Sequence, residues 1–162
     1  MKFQVNESFE NQLKKEFGDR YKNNLESVPE VVTPFHSLRM PRMHINDYYN
    51  RIVNYTNGVD VLPAMWVYLK RIVYDAGIPI DNYSIHRLFS QVFNIALKFW
   101  DDDHVSERTF CRVIGYDANE YATLESYCIE LLNYQLMVWL FKYGYPICNW
   151  VAWYCMEPFH FL

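Results

Sequence analysis

The chain has 162 residues, 51% apolar and 19% aromatic, with 14 Tyr, 11 Phe and 5 Trp. That is long enough to bury one core without disulfide or metal staples, while 5 glycines and 7 prolines leave little for a many-turned sandwich or a Gly-rich phosphate loop. Fifteen Lys and Arg stand against nineteen Asp and Glu, a net charge of −4 with no concentrated basic patch, which argues against nucleic acid and against an anionic membrane surface as partners.

Residues 1–32 read as an N-terminal extension. Phe9, Leu13 and Phe17 fall at helical spacing, so this stretch is either a short docked helix or a solvated tail, followed by the linker "ESVPEVVTPF". The opening "MKFQVNESFENQ" lacks an apolar signal core, and the expected setting is the nucleus, the cytoplasm or both.

The body, residues 33–140, is a run of helices. "HINDYYNRIVNYT" sets Ile45, Tyr48, Tyr49, Ile52 and Val53 on one stripe. "VLPAMWVYLKRIVYDAG" repeats the pattern with Leu62, Met65, Trp66, Leu69, Ile72, Val73 and Ala76, and Gly77 supplies the stop. "IPID" is read as a connection. From Asn82 to Trp100 the next helix is apolar over most of its circumference, which belongs at the centre of a bundle. Its one polar stripe is Ser84, Arg87, Gln91, Asn94 and Lys98, every three or four residues along one edge. A short helix follows behind a Ser106 cap. A longer one opens at Asp117 or Asn119 and carries Tyr121, Leu124, Cys128, Leu131 and Leu132 inward. The expected fold is all-α: five helices around a central buried one, with flanking N- and C-terminal helices.

Residues 141–162 form an aromatic C-terminal segment. From Tyr134 onward the chain holds ten aromatics, and 143–156 carries no formal charge, yet that run is too short to span a bilayer and contains Pro146 and Asn149. Packing on the bundle is the favoured reading over an exposed partner surface. The four cysteines, 111, 128, 148 and 155, form neither CxxC nor zinc spacing, which suits reduced thiols in a cell interior. "DDDH" at 101–104 reads as a charged helix end rather than a metal site, and His86 as a packed histidine rather than a general base. No serine-histidine-acid set, P-loop or dinucleotide fingerprint is visible, so no catalytic residue, metal or cofactor is assigned.

The motifs "TPFHS" and "INDYYNRI", "WVYLKRI", "NYSIHRLFSQVFNIALKFWDD" and "RVIGYDANEYATLESYCIELLNYQLMV" together resemble a cyclin box, and more narrowly the single-box P/U-type cyclins of the phosphate-pathway class. The resemblance covers residues 33–140. It implies a regulatory subunit, not an enzyme, that binds and activates a cyclin-dependent serine/threonine kinase, with kinase substrates or inhibitors as further candidate partners. Matched residue by residue, it implies that Lys98 and Glu125 grip the kinase C-helix, with Phe99, Ile129, Tyr134 and Leu136 as apolar contacts. Three departures stand out. Lys70 replaces an aspartate expected to pair with Arg51, leaving Asp47 as its candidate substitute. "DDDHVSE" replaces the subclass's acidic run, and "IG" at Ile114 and Gly115 replaces a double glycine. The alternative reading is a cyclin-fold adaptor that scaffolds proteins without activating a kinase.

Overall fold

The computed structural model describes residues 7–30 and 32–138. These form α1 (Phe9–Phe17), β1 (Tyr21–Lys22), α2 (Ile45–Thr56), α3 (Leu62–Lys70), a π-turn (Arg71–Asp75), β2 (Ile80–Asp81), α4 (Ile85–Trp100), α5 (Glu107–Ile114) and α6 (Ala118–Leu131). The fold is all-α. The aromatic segment 141–162, its expected packing and helices, and Cys148 and Cys155 lie outside the described residues.

α4 is the axis, because a helix apolar nearly all round must be covered on every side. Leu88, Phe89, Val92, Phe93 and Ala96 have no exposed surface. α3 and α6 flank it, α2 crosses it, and α5 packs on α2. The turn between α2 and α3 presses directly onto this axis. A Cβ at Gly58 would lie 2.6 Å from the Phe93 ring and 2.9 Å from a Leu97 methyl, so only glycine fits there.

α4 begins at Ile85, three residues later than the apolar pattern predicts. The Asp81 carboxylate takes the amides of Tyr83 and Ser84 at 2.8 and 3.0 Å, and the Ser84 hydroxyl takes the Asp81 amide at 3.0 Å. These bonds hold 81–84 as a turn instead of a first helical turn. Ser106 caps α5 as expected, accepting from Thr109 N, and of the two candidates for α6 it is Asp117 that caps, accepting from Asn119 N and Glu120 N. Gly115, in the left-handed region at φ 83, closes α5 without a second glycine.

α1 is docked, not solvated. Phe9 stacks on Tyr49 with ring centroids 4.4 Å apart and touches Phe89 and Trp66, while Phe17 lies against Trp66 and Tyr74. Behind it, β1 and β2 pair in parallel, Tyr21 with Ile80 and Lys22 with Asp81. "IPID" is therefore more than a connection, since it ties the extension to the start of α4.

Lys70 finds its partner in this docked helix, an ion pair with Glu16 at 2.5 Å. The expected Asp47–Arg51 pair does not form among the described residues, and both side chains are exposed. An exposed i,i+4 pair gains only about 0.3–0.5 kcal/mol, which water readily displaces. Lys70 thus braces α3 against α1.

Candidate functional site

The polar stripe of α4 does not face solvent along its length; α6 covers it. Ser84 and Gln91 are fully buried, Arg87 pairs with Glu120, and Asn94 is 3% exposed. The stripe is most exposed in the last turn, which carries Lys98, its side chain 35% exposed against 23% for Arg87. α4 stops just beyond, where Asp101 turns extended and its carboxylate accepts from Asp103 N at 3.0 Å. "DDDH" is thus the end of α4 and the turn after it. No group of three potential metal ligands occurs among the described residues.

Opposite Lys98, two turns into α6, stands Glu125. One of its oxygens gathers three donors: Lys98 Nζ at 2.7 Å, Asn94 Nδ2 at 2.8 Å and the Tyr121 hydroxyl at 3.5 Å. The ammonium also lies 5.2 Å from the Tyr121 ring centroid, within cation–π range. Burial alone would lower the Lys98 ammonium, but its bonds to Glu125 and Tyr121 outweigh that and hold it above the ordinary lysine value. The lysine is therefore a fixed cation. Its side chain is 35% exposed and that of Glu125 18%. A lysine has three N–H donors and a carboxylate two oxygens, so this pair satisfies itself and keeps capacity for a partner.

The other predicted contacts are unevenly exposed. Phe99 is 44% exposed and Tyr134 72%, while Ile129 and Leu136 are half-buried against the core. Past α6 the chain reverses through Asn133 and Tyr134, both left-handed at φ 51 and 58, with Tyr134 N bonded to Ile129 O. A left-handed non-glycine costs about 1–2 kcal/mol, and here it turns a large aromatic outward. The return segment 132–138 then runs back beside α3. Four residues that sequence reasoning missed shape this surface. Met137 is 56% exposed on the return segment, Trp100 meets Phe99 edge-on at 5.2 Å, and Tyr68 and Arg71 hold the segment's backbone. Their only sequence signal is the i,i+3 spacing of tyrosine and arginine in "YLKR".

The fold also assembles a threonine–histidine–aspartate line. Thr33 Oγ1 lies 2.9 Å from His36 Nδ1, and His36 Nε2 lies 2.9 Å from Asp81 Oδ2. Nδ1 also accepts from Thr33's own amide at 2.9 Å, so Nε2 carries the proton and donates to Asp81. The His36 and Asp81 side chains are each 2% exposed, and Asp81's other oxygen caps the start of α4. Both ring nitrogens and both carboxylate oxygens are engaged, so the line works as a pin between the loop and α4. His86 is packed as expected, bonding Met43 O at 2.8 Å through Nε2, and Cys111 and Cys128 are buried free thiols.

The cyclin family model matches residues 5–136, from α1 through the return segment. Cyclin-U4-1 of Arabidopsis thaliana is 30% identical over 109 residues, 66% of this chain and 54% of that protein. Cyclin-P3-1 of Oryza sativa subsp. japonica is 29% identical over 118 residues, 72% of this chain and 50% of that protein. The PHO85 cyclin-like protein psl1 of Schizosaccharomyces pombe is 27% identical over 122 residues, again 72% and 50%. The chain spans about half the length of the curated relatives it matches.

Proposed function

The chain belongs to the cyclin family, with U- and P-type relatives, and from that premise we propose that it binds and activates a cyclin-dependent serine/threonine kinase. The observation that carries the reading is the Lys98–Glu125 pair, partly exposed at the C-terminal end of α4, with exposed Phe99 next to Lys98 in the chain and Tyr134 and Met137 exposed on the segment that follows α6. Lys98 donates to carbonyls at an end of the kinase's C-helix, and Glu125 accepts from it. One of each sets the direction of the docked helix. The apolar rim supplies most of the affinity, as large side chains do at interface centres. Kinase catalysis needs the C-helix glutamate paired with the strand lysine, so a subunit that binds only the inward helix shifts the kinase toward its active state. The kinase supplies ATP binding, magnesium and phosphoryl transfer, and this chain supplies none of them.

The test is kinase activation by wild type, Lys98→Glu, Glu125→Lys and the double reversal. Both single variants are expected to lose activation with helical content unchanged. The double reversal rebuilds the internal pair with inverted polarity, and it too should fail, because the partner's donors and acceptors then face like groups. Recovery in the double variant would make the pair an internal brace only. Kinase binding by wild type without activation would favour the adaptor.

A further inference from the structure

The return segment is gripped by its backbone. Arg71 Nη1 donates to Gln135 O at 2.5 Å and Nη2 to Met137 O at 3.3 Å. Between them the Tyr68 hydroxyl donates to Leu136 O at 2.6 Å and accepts from Trp100 Nε1 at 2.9 Å. Three successive carbonyls are thus taken by two side chains one helical turn apart. Burial pushes the Tyr68 phenol up to about 12, so it stays a donor across the physiological range. Arg71 opens the π-turn, whose widened ring is closed by Ala76 N on Arg71 O at 3.1 Å. π-Turns of this kind occur at helix C-termini. The same Tyr68 hydroxyl joins the return segment to Trp100, and hence to Phe99 and the last turn of α4.

We propose that Arg71 and Tyr68 are positioning residues for partner recognition: they clamp the 135–137 carbonyls so that Tyr134 and Met137 stand at a fixed height beside Phe99 and Lys98. This rests on the kinase-binding reading and adds the device that shapes its surface. Arg71 lies on a different helix from the Lys98–Glu125 pair and acts only through the segment it holds. An unclamped segment would have to be ordered at each encounter, and that ordering subtracts from affinity.

The experiment compares wild type with Arg71→Met, which keeps the apolar stem and removes the donors, and Arg71→Lys, which has no planar fork with which to span two carbonyls. Two quantities are read: amide exchange at Tyr134 and Gln135 in the free chain, and the concentration that half-activates the kinase. Arg71→Met should speed exchange at those two amides by about tenfold and raise the half-activating concentration by about tenfold, as expected for losing bonds from a charged donor. Exchange within α4 and α6 and the plateau activity should stay unchanged, with Arg71→Lys intermediate. In a Tyr134→Ala background the Arg71→Met penalty should shrink to about threefold or less, because part of what the clamp positions is gone. Unchanged exchange, faster exchange with an unchanged half-activating concentration, or a full penalty in the Tyr134→Ala background would each overturn the proposal. A wild type that activates no kinase overturns the functional reading instead, and exchange alone then decides whether Arg71 holds the segment.

Discussion

At its N-terminal end α4 starts among polar groups that answer one another. Asp81 serves two backbone amides and His36, Ser84 answers Asp81, and His86 bonds Met43 O through Nε2, with the Asp81, His36, Ser84 and His86 side chains all buried. At its C-terminal end the same helix carries Lys98 and Phe99 into solvent, beside a carboxylate with an oxygen to spare and a turn that displays Tyr134. One end uses its hydrogen-bonding capacity to fix the fold. The other keeps some in reserve. A helix buried on nearly every side through its middle can thus be specialised by its two terminal turns.

The largest expected effect tests the sealed end. Asp81→Ala strands two amides and a buried imidazole, and should cost about 3 kcal/mol of unfolding free energy in urea titrations. Kinase activation per folded molecule should be unchanged. A loss below about 1 kcal/mol would mean that the pin is ornamental. Charge reversal at Lys98 should do the opposite, abolishing activation while moving stability by less than about 1 kcal/mol.

Gln91 sharpens the comparison from the middle of the seam. Its amide nitrogen and oxygen are buried with no partner among the described residues. Gln91→Leu should therefore raise stability by about 1 kcal/mol, seen as a higher urea midpoint with an unchanged slope. If the variant is destabilised, the seam is better satisfied than its geometry indicates.

The smallest effect is in the pH dependence. Burial, against the bond to Met43, lowers the His86 pKa below its ordinary 6.5, so the unfolded chain binds its proton first. His86 therefore contributes stability that is present above pH 6.5 and lost as pH falls below it toward the folded value. The decline should be no steeper than about 1.4 kcal/mol per pH unit from this residue, and shallower in His86→Gln.

The helices of the body were legible because each carries a 3.6-residue apolar stripe, and Ser106, Asp117 and Gly115 are local signals a few residues from what they cap. Lys98 and Glu125 were nameable through the family resemblance, but their mutual bond was not, because α6 covering the stripe is a tertiary fact. What stayed hidden acts across long separations or in too few residues. β1 and β2 are two residues each, His36 and Asp81 lie 45 apart, and Arg71 reaches a carbonyl 64 positions away. The start of α4 was misplaced for a related reason: its apolar pattern says nothing of Asp81, whose carboxylate decides where the helix begins.

The grip of Arg71 and Tyr68 on carbonyls has a consequence for how such a surface can change. Every residue type offers the same carbonyl, so the mounting is blind to which side chains it displays. Position 137 can then be exchanged, by drift or by design, without rebuilding the frame beneath it, and position 134 among residues that tolerate its left-handed backbone. The side chains shown on this one short stretch can thus change through a few substitutions, while the bundle that carries it stays as it is.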